Sequence, residues 1–489
     1  MVYRIVFLRI LTVEYLGING LFSDILGVLS LTDLGITEAI YYRLFAPIST
    51  ENPLQVGRLM RFFKEIYRKI ALAIMILGGI TACFLRFLVR DAGEVPGDVN
   101  LYIVFLLFLV QSASSYLFTY RFALLSADQK QYMETLIHTA NMLLRYLLQI
   151  VCLVITRDFT DTLIAGMAGG ILLSAVASRW VARQYPAVFS VQTDITKDER
   201  RAIYKDTSAA AIHKVGTVVL NSTDRILMSK YIGLAVTGIY SNYSMILTNA
   251  SGMITSLFGG ITASFGNALS TMEPEDRYLA FKRMLFLNFW IVGAITACLY
   301  ILMDDFIMLW LRKSLLLDPL TVTLLCVMFF MQQTRTVPGA YMTATGLFVR
   351  DRARPVIEAA LNLGISILAL HWLGVAGIFV GTIVSCLLTV FWRVPWLLYH
   401  HSFHKSTRDY WLLYAEYALL TLAAAFLTSR IKAALPFAGP SLLVWILNGC
   451  ICAAVYAALH FLLFCKNKEL WYFIALAKTR VAKIFKRKK

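Results

Sequence analysis

The chain has 489 residues, 59% of them hydrophobic and 15% charged, with a formal net charge of +17 and a mean hydropathy of +0.68. Soluble globular domains run about 45–50% apolar and about 25% charged, so this composition excludes an ordinary soluble enzyme, a disordered chain and a secreted disulfide scaffold. The eight cysteines lie in apolar runs, without the paired spacing of a zinc site or a disulfide framework.

A helix that crosses hydrocarbon needs about 20 mostly apolar residues. In chain order such stretches lie at 16–45, 67–89, 100–126, 131–155, 160–184, 207–230, 233–268, 284–311, 319–345, 355–371, 374–398, 410–430 and 440–465, thirteen full spans. Residues 1–12 are too short to cross and carry Arg4 and Arg9. They read as the last third of a further helix, so the first helix reads as truncated. No small-residue cleavage site follows them, which excludes a signal peptide.

The charges give an orientation. The connecting segments 43–69, 121–130, 179–205, 277–283, 350–354, 393–408 and 466–489 fall on one side and hold 32 of the 46 Lys and Arg; the other side holds 8. The positive-inside bias puts the first set, with the C-terminal Lys486-Arg487-Lys488-Lys489, in the cytoplasm. The net charge is then a property of loops and does not point to nucleic acid. The basic tail reads first as an anchor on anionic lipid. The longest loops, near 185–205, cannot hold a catalytic or ATP-binding domain, and no phosphate-cradling Gly-rich loop is present. Any site must lie among the helices.

Two stretches resemble each other. Tyr15-Leu16-Gly17 and Gly20 to Ser30 line up with Tyr231-Ile232-Gly233 and Gly238 to Thr248 at an offset of 216 to 218, and Lys130 to Glu134 lines up more weakly with Arg354 to Glu358 at 224. Six spans separate the members of each pair, so both copies point the same way. This is the parallel repeat found in one class of secondary transporters.

Charged groups inside spans are costly and normally face protein or water. Lys214, Asn221 and Arg225 recur at i, i+7 and i+11, one helical face, with Thr217 and Asp224 on its edge. A lysine and an arginine on one wetted face suit phosphate oxygens; the alternative is an ion pair between Asp224 and a base on a neighbouring helix. The first full span carries Asp33 in a polar stripe with Asp24 and Glu38 beside it, and its repeat partner carries Ser241, Ser244, Thr248, Ser251 and Thr255. Such stripes line cavities or make tight helix contacts. Arg145 and Arg335 sit mid-span, the second just before Pro338-Gly339, a pair that should break its helix. Both read as cavity groups or as partners of a buried carboxylate such as Glu134. His400, His401 and His404 lack a further ligand cluster for a metal, and Trp372, Trp396 and Trp411 read as interface anchors.

Glu14-Tyr15-Leu16-Gly17-Ile18-Asn19-Gly20-Leu21-Phe22, followed by Leu29 to Ile36, resembles the opening of the Wzx-like polysaccharide flippases of the multidrug/oligosaccharidyl-lipid/polysaccharide exporter superfamily. The stretches Asn221 to Asp224, Val236 to Tyr243, Ala344 to Phe348, Arg354 to Ala359 and Gly374 to Ile383 are similar to the same family. The resemblance implies two six-helix lobes related by a pseudo-two-fold axis, two further helices, alternating access, and a cationic cavity for a lipid-linked, pyrophosphate-bearing oligosaccharide. The family's first helix normally precedes the Tyr15 motif, where this chain has only residues 1–12.

The expectation is therefore an all-α polytopic membrane protein. It divides into an N-lobe at 1–184, a linker at 185–205, a C-lobe at 206–398, and two extra helices with a basic tail at 399–489. Lys214, Arg225, Arg145, Arg335 and Asn221 are the candidate substrate-facing residues. Asp24, Asp33, Glu38 and Asp224 are candidates for charge balance or ion coupling. No catalytic residue, metal or cofactor is expected, a coupling proton or sodium ion being left open. The partners implied are the lipid-linked oligosaccharide and membrane lipid, with polysaccharide polymerase and glycosyltransferases as further candidates. The expected setting is the bacterial cytoplasmic membrane and surface polysaccharide (O-antigen or exopolysaccharide) biosynthesis. An ion-coupled multidrug exporter and a non-transporting scaffold are the alternatives.

Overall fold

The computed structural model describes residues 2–30, 36–89, 95–201, 203–204, 222–311, 313–351, 353–435 and 441–487, with the backbone alone at 36–42, 260–271, 313, 349, 477 and 479–487. In chain order the helices are α1 (Val2–Ile10), α2 (Val13–Leu29), α3 (Ile36–Ser49), α4 (Pro53–Ala82), α5 (Leu85–Leu88), α6 (Leu101–Ala127), α7 (Gln131–Thr156), α8 (Phe159–Gln184) and α9 (Pro186–Phe189). They continue with α10, described over 222–231, then α11 (Leu234–Thr271), α12 (Pro274–Trp310), α13 (Pro319–Gln333), α14 (Thr336–Ala344), α15 (Arg354–Leu373) and α16 (Val375–Leu388). The last are α17 (Val390–Leu398), α18 (Arg408–Ala434), α19 (Leu442–Phe464) and α20 (Lys468–Arg487). No strand occurs among the described residues, and nine helices there are long and apolar enough to cross a membrane.

Side-chain caps start many of these helices. Asn52 accepts from the Gln55 amide at 3.1 Å, with Pro53 in the first turn. Asn100, Asp158, Asp318 and Ser441 cap α6, α8, α13 and α19 in the same way. Each supplies an acceptor to backbone amides that have no partner within the helix.

The chain groups into two compact units, Met1–Ser241 with Arg352–Ile378, and Asn242–Asp351 with Phe379–Lys489. In the first, α4 and α6 pack around Phe63, Tyr67, Ile74, Leu109 and Leu124. A second cluster joins α1, α2, α6 and α8 through Phe7, Ile18, Phe22, Phe105 and Phe159. Helices α7 and α8 meet closely, because a side chain at Gly169 would collide with Leu148. In the second unit, α12 packs with α18 and α19, where a side chain at Gly293 would overlap the Tyr456 hydroxyl. There His460 stacks on Trp290 at 4.6 Å and hydrogen-bonds the Tyr417 hydroxyl at 2.9 Å. Lipid tails are as apolar as leucine, so small residues and interhelical hydrogen bonds do much of this packing.

Nine expected spans appear as helices within a few residues of their ends in most cases. Four details differ from the expected spans. The helix over 67–89 begins at Pro53, since Asn52 caps it well before the apolar run, and ends at Ala82. The 319–345 span divides at Thr334-Arg335. Pro338 has no amide hydrogen for the Thr334 carbonyl, so the ladder fails one turn before the proline. The 374–398 span divides at Thr389, where φ is −120° and ψ −89°. The tail is itself a helix, α20, and the sequence spaces Leu470, Phe473, Ile474, Ala477, Val481 and Ile484 at helical intervals. The expected spans 16–45, 207–230 and 233–268 lie partly or mostly outside the described residues or side chains.

Candidate functional site

Two helix starts cross in the first unit. A Cβ added to Gly17 would overlap the carbonyl oxygen of Leu234, and one added to Gly238 would overlap that of Val13. Val13 and Leu234 open α2 and α11, so each helix sets its fifth residue on the other's first. The paired sequence motifs thus pack on each other. Backbone meets backbone there, and only glycine fits.

This crossing brings a polar group together. Arg225 of α10 donates from Nη1 to Asp24 Oδ1 of α2 at 2.8 Å, with side-chain exposures of 22% and 14%. The Arg225 guanidinium also lies 5.7 Å from the centre of the Tyr240 ring. A Cβ at Gly20 would crowd Ser241 Oγ at 2.8 Å and meet Arg225 Cδ at ordinary contact distance. Arg4 of α1 donates to the Ser241 carbonyl at 2.9 Å. Asp224 is buried. The second oxygen of Asp24 is buried and accepts no hydrogen bond among the described residues.

Beside Arg4, Tyr3 packs on Tyr146 with ring centres 5.3 Å apart, and Arg145 lies 5.6 Å from the same ring. Arg145 lines a groove of about 870 Å³ between α6, α7 and α8, together with Glu134, His138 and Asn141 of α7, Gln111 of α6 and Ser174 of α8. The α7 residues recur at spacings of 4, 3 and 4, which is one helical face. Asn141 ties that face to α8, donating to the Gly170 carbonyl at 3.0 Å and to Ser174 Oγ at 2.7 Å. Glu134 accepts from the Ser126 hydroxyl. Among the described residues no carboxylate pairs with Arg145, and its Nε is buried without a hydrogen-bond partner. The volume is within the range of small-molecule sites, about 300–1,000 Å³.

In the second unit Arg335 stands at the α13–α14 break, likewise without a described carboxylate partner and with a buried, unbonded Nε. The carbonyl of Gln333 takes hydrogen bonds from Thr336 and Asn288, and its side chain donates to Ser251 at 2.9 Å. A residue of the serine stripe on α11 therefore steadies the break.

Of the residues singled out from sequence, Arg225 and Asp24 come together, and Arg145 lies elsewhere in the same unit. Arg335 belongs to the second unit. Lys214, Asn221 and Asp33 lie outside the described residues, and the side chain of Glu38 does too. Sequence reasoning missed Arg4, Tyr3, Tyr146 and Tyr240. It also missed the stripe from Glu134 to Arg145, although its 4-3-4 spacing of polar residues within an apolar helix was the signal to follow.

No family model matches the chain, and no curated protein does. Among solved structures, the fold is similar to the inward-closed conformation of the lipid II flippase MurJ, with a TM-score of 0.63 over 95% of this chain and 99% of that one, at 12% identity. It is similar to an inward-facing multidrug resistance MATE family transporter of the MOP superfamily, with a TM-score of 0.53 over 79% of this chain and 91% of that one, at 16% identity. It is also similar to a MATE in complex with MaD5, with a TM-score of 0.50 over 81% and 92% of the two chains, at 15% identity. The chain is an all-α polytopic membrane protein, and its fold is the one these flippase and transporter structures show.

Proposed function

We propose that the chain is a flippase that carries a polyprenyl-pyrophosphate-linked oligosaccharide across the bacterial cytoplasmic membrane, by alternating access, for surface polysaccharide assembly. The observation that carries this reading is Arg145, a guanidinium facing a polar groove with no described carboxylate to neutralise it. A half-buried cation with its Nε buried and unbonded and no described counter-ion favours an anionic ligand, because desolvating charge unpaired is costly. Arginine meets phosphate oxygens with two parallel donors. Arg335, also without a described carboxylate partner, supplies a second such charge. MurJ, which shares the fold, is a lipid II flippase.

In this reading Asp24 balances Arg225, and its open second oxygen is the place for a coupling proton or sodium ion. Lys214, Asn221, Asp33, Glu38 and Asp224 remain candidates in their expected roles. The lobes are 1–184 and 206–398, with 399–489 as an addition, and the C-terminus is cytoplasmic. Polymerase and glycosyltransferases are the protein partners to test.

The multidrug exporter is the rival, since MATE proteins share the fold. A cation exporter needs a groove dominated by acids. Here Glu134 is the one carboxylate lining the described groove, and Ser126 already donates to it. The test is the sidedness of lipid-linked oligosaccharide in cells depleted of the protein. Accumulation on the cytoplasmic face is expected; unchanged delivery to the outer face overturns the proposal.

A further inference from the structure

A second cavity of the first unit lies between α4, α6 and α8 and shares Phe118 with the groove. Its volume is about 270 Å³, and its lining includes Lys64, Arg68, Arg121 and Arg179. Lys64 and Arg68 are one turn apart on α4, so they share a face. Arg121 comes from α6 and Arg179 from α8. None of the four forms an ion pair with a carboxylate among the described residues, although Arg61 and Arg200 nearby in sequence and space do.

Arg121 is held in place. Its Nε donates to the Tyr120 hydroxyl at 2.9 Å, and Nη1 donates to the carbonyl and hydroxyl of Ser178 at 3.2 and 3.1 Å. Its guanidinium lies 5.4 Å from the centre of the Phe189 ring. Lys64 is half-buried, and burial lowers the pKa of its ammonium from the ordinary range, the charges of Arg68, Arg121 and Arg61 acting the same way. Four like charges around one small concavity repel one another. The arrangement stores a positive potential that an anion relieves.

We propose that Lys64, Arg68, Arg121 and Arg179 form a binding site for a phosphate-bearing anion between α4, α6 and α8. The chemistry favours phosphate over carboxylate. A phosphate group offers several acceptor oxygens to donors from three helices, and guanidinium forks pair with it in two-point contacts. Two sources share that chemistry, a soluble phosphate compound and an anionic lipid headgroup. None of the four basic residues lines the groove that carries the transport reading, so the proposal stands or falls without it.

The experiment uses the full chain in nanodiscs of neutral phosphatidylcholine, titrated with inorganic pyrophosphate by calorimetry. Potassium chloride at matched ionic strength is the control for screening. Pyrophosphate is expected to bind and to raise the melting temperature above the chloride control. Arg68→Gln with Arg179→Gln removes two exposed side chains that hold no described hydrogen bond, so folding is spared. That pair is expected to weaken binding by about tenfold or more, with a shallower salt dependence. A second arm replaces part of the neutral lipid with phosphatidic acid. Loss of pyrophosphate binding there assigns the site to a headgroup, and unchanged binding assigns it to a soluble phosphate. No binding beyond the chloride control in neutral discs, together with no stabilisation by phosphatidic acid, overturns the proposal. Binding or stabilisation that the double variant leaves intact also overturns it.

Discussion

Arg225 and Asp24 stand 201 residues apart in sequence and 2.8 Å apart in space. The pair joins α10 to α2 beside the crossing of α2 and α11. Removing one member of a largely buried pair costs the interaction while the desolvation of the other member remains. Asp24→Asn and Arg225→Gln are each expected to lower stability by about 3 kcal/mol. The double variant is expected to lose much less than the sum. Thermal unfolding of the purified protein in detergent checks this, and additive losses would count against coupling.

The glycine crossing gives a sharper contrast. Gly17→Ala and Gly238→Ala place a methyl into a backbone carbonyl. Each is expected to cost at least about 2 kcal/mol and to reduce the yield of folded protein on size-exclusion chromatography. Gly79→Ala, in α4, meets nothing within 4 Å. It is expected to be neutral or to stabilise by up to about 1 kcal/mol, as an alanine gains in a helix interior.

Arg145 separates the transport reading from its rival. Arg145→Gln is expected to reduce outer-face delivery of lipid-linked oligosaccharide by about tenfold or more, the loss of a charge-assisted contact. Arg145→Lys, which keeps the charge and loses the fork, is expected to fall between. A cation exporter predicts the opposite sign, with drug efflux unchanged or improved by Arg145→Gln. Efflux and sidedness measured on the same strains decide.

The α6–α7 turn has its own pH dependence. Burial pushes the Asp128 carboxyl up, but hydrogen bonds from Lys130 and the Tyr185 hydroxyl, with the Lys130 charge, outweigh burial and hold it below its ordinary value. A carboxyl depressed in the folded state adds stability above its unfolded pKa, about 4. That stability fades as pH falls through the lower folded value. Amide exchange in residues 124–131 is expected to accelerate below about pH 4, and Asp128→Asn is expected to remove that acid-dependent part. A turn equally labile in the variant and the parent would refute the assignment.

Apolar run length was enough to place α6, α7, α8, α12, α15, α18 and α19, because a spanning helix cannot hide its length. Breaks and starts were harder. Asn52 lies outside the hydrophobic window, so the true start of α4 depends on capping that hydropathy does not register. Pro338 announced a break, but only backbone geometry put it at Thr334-Arg335. The tail read as charge because nine Lys and Arg crowd residues 466–489, and its apolar spacing went unnoticed.

The candidate site was legible in type and not in pairing. Arg225, Asp24, Arg145 and Arg335 stood out because charge inside an apolar run is conspicuous. Which acid met which base was not readable, since Asp24 lies far from Arg225 in sequence and Asp224 lies next to it. Arg4 was set aside with a short segment. Lys64, Arg68, Arg121 and Arg179 were counted as orientation charges, because linear position conceals that three helices bring them to one concavity.

At Gly17 and Gly238 main chain lies against main chain, with the Val13 side chain beside Gly238. Sliding either helix along the other by a single residue would drive a Cβ into the opposite main chain. The two glycines therefore tie the helix starts main chain to main chain, and the Arg225–Asp24 link clasps the same junction from the side.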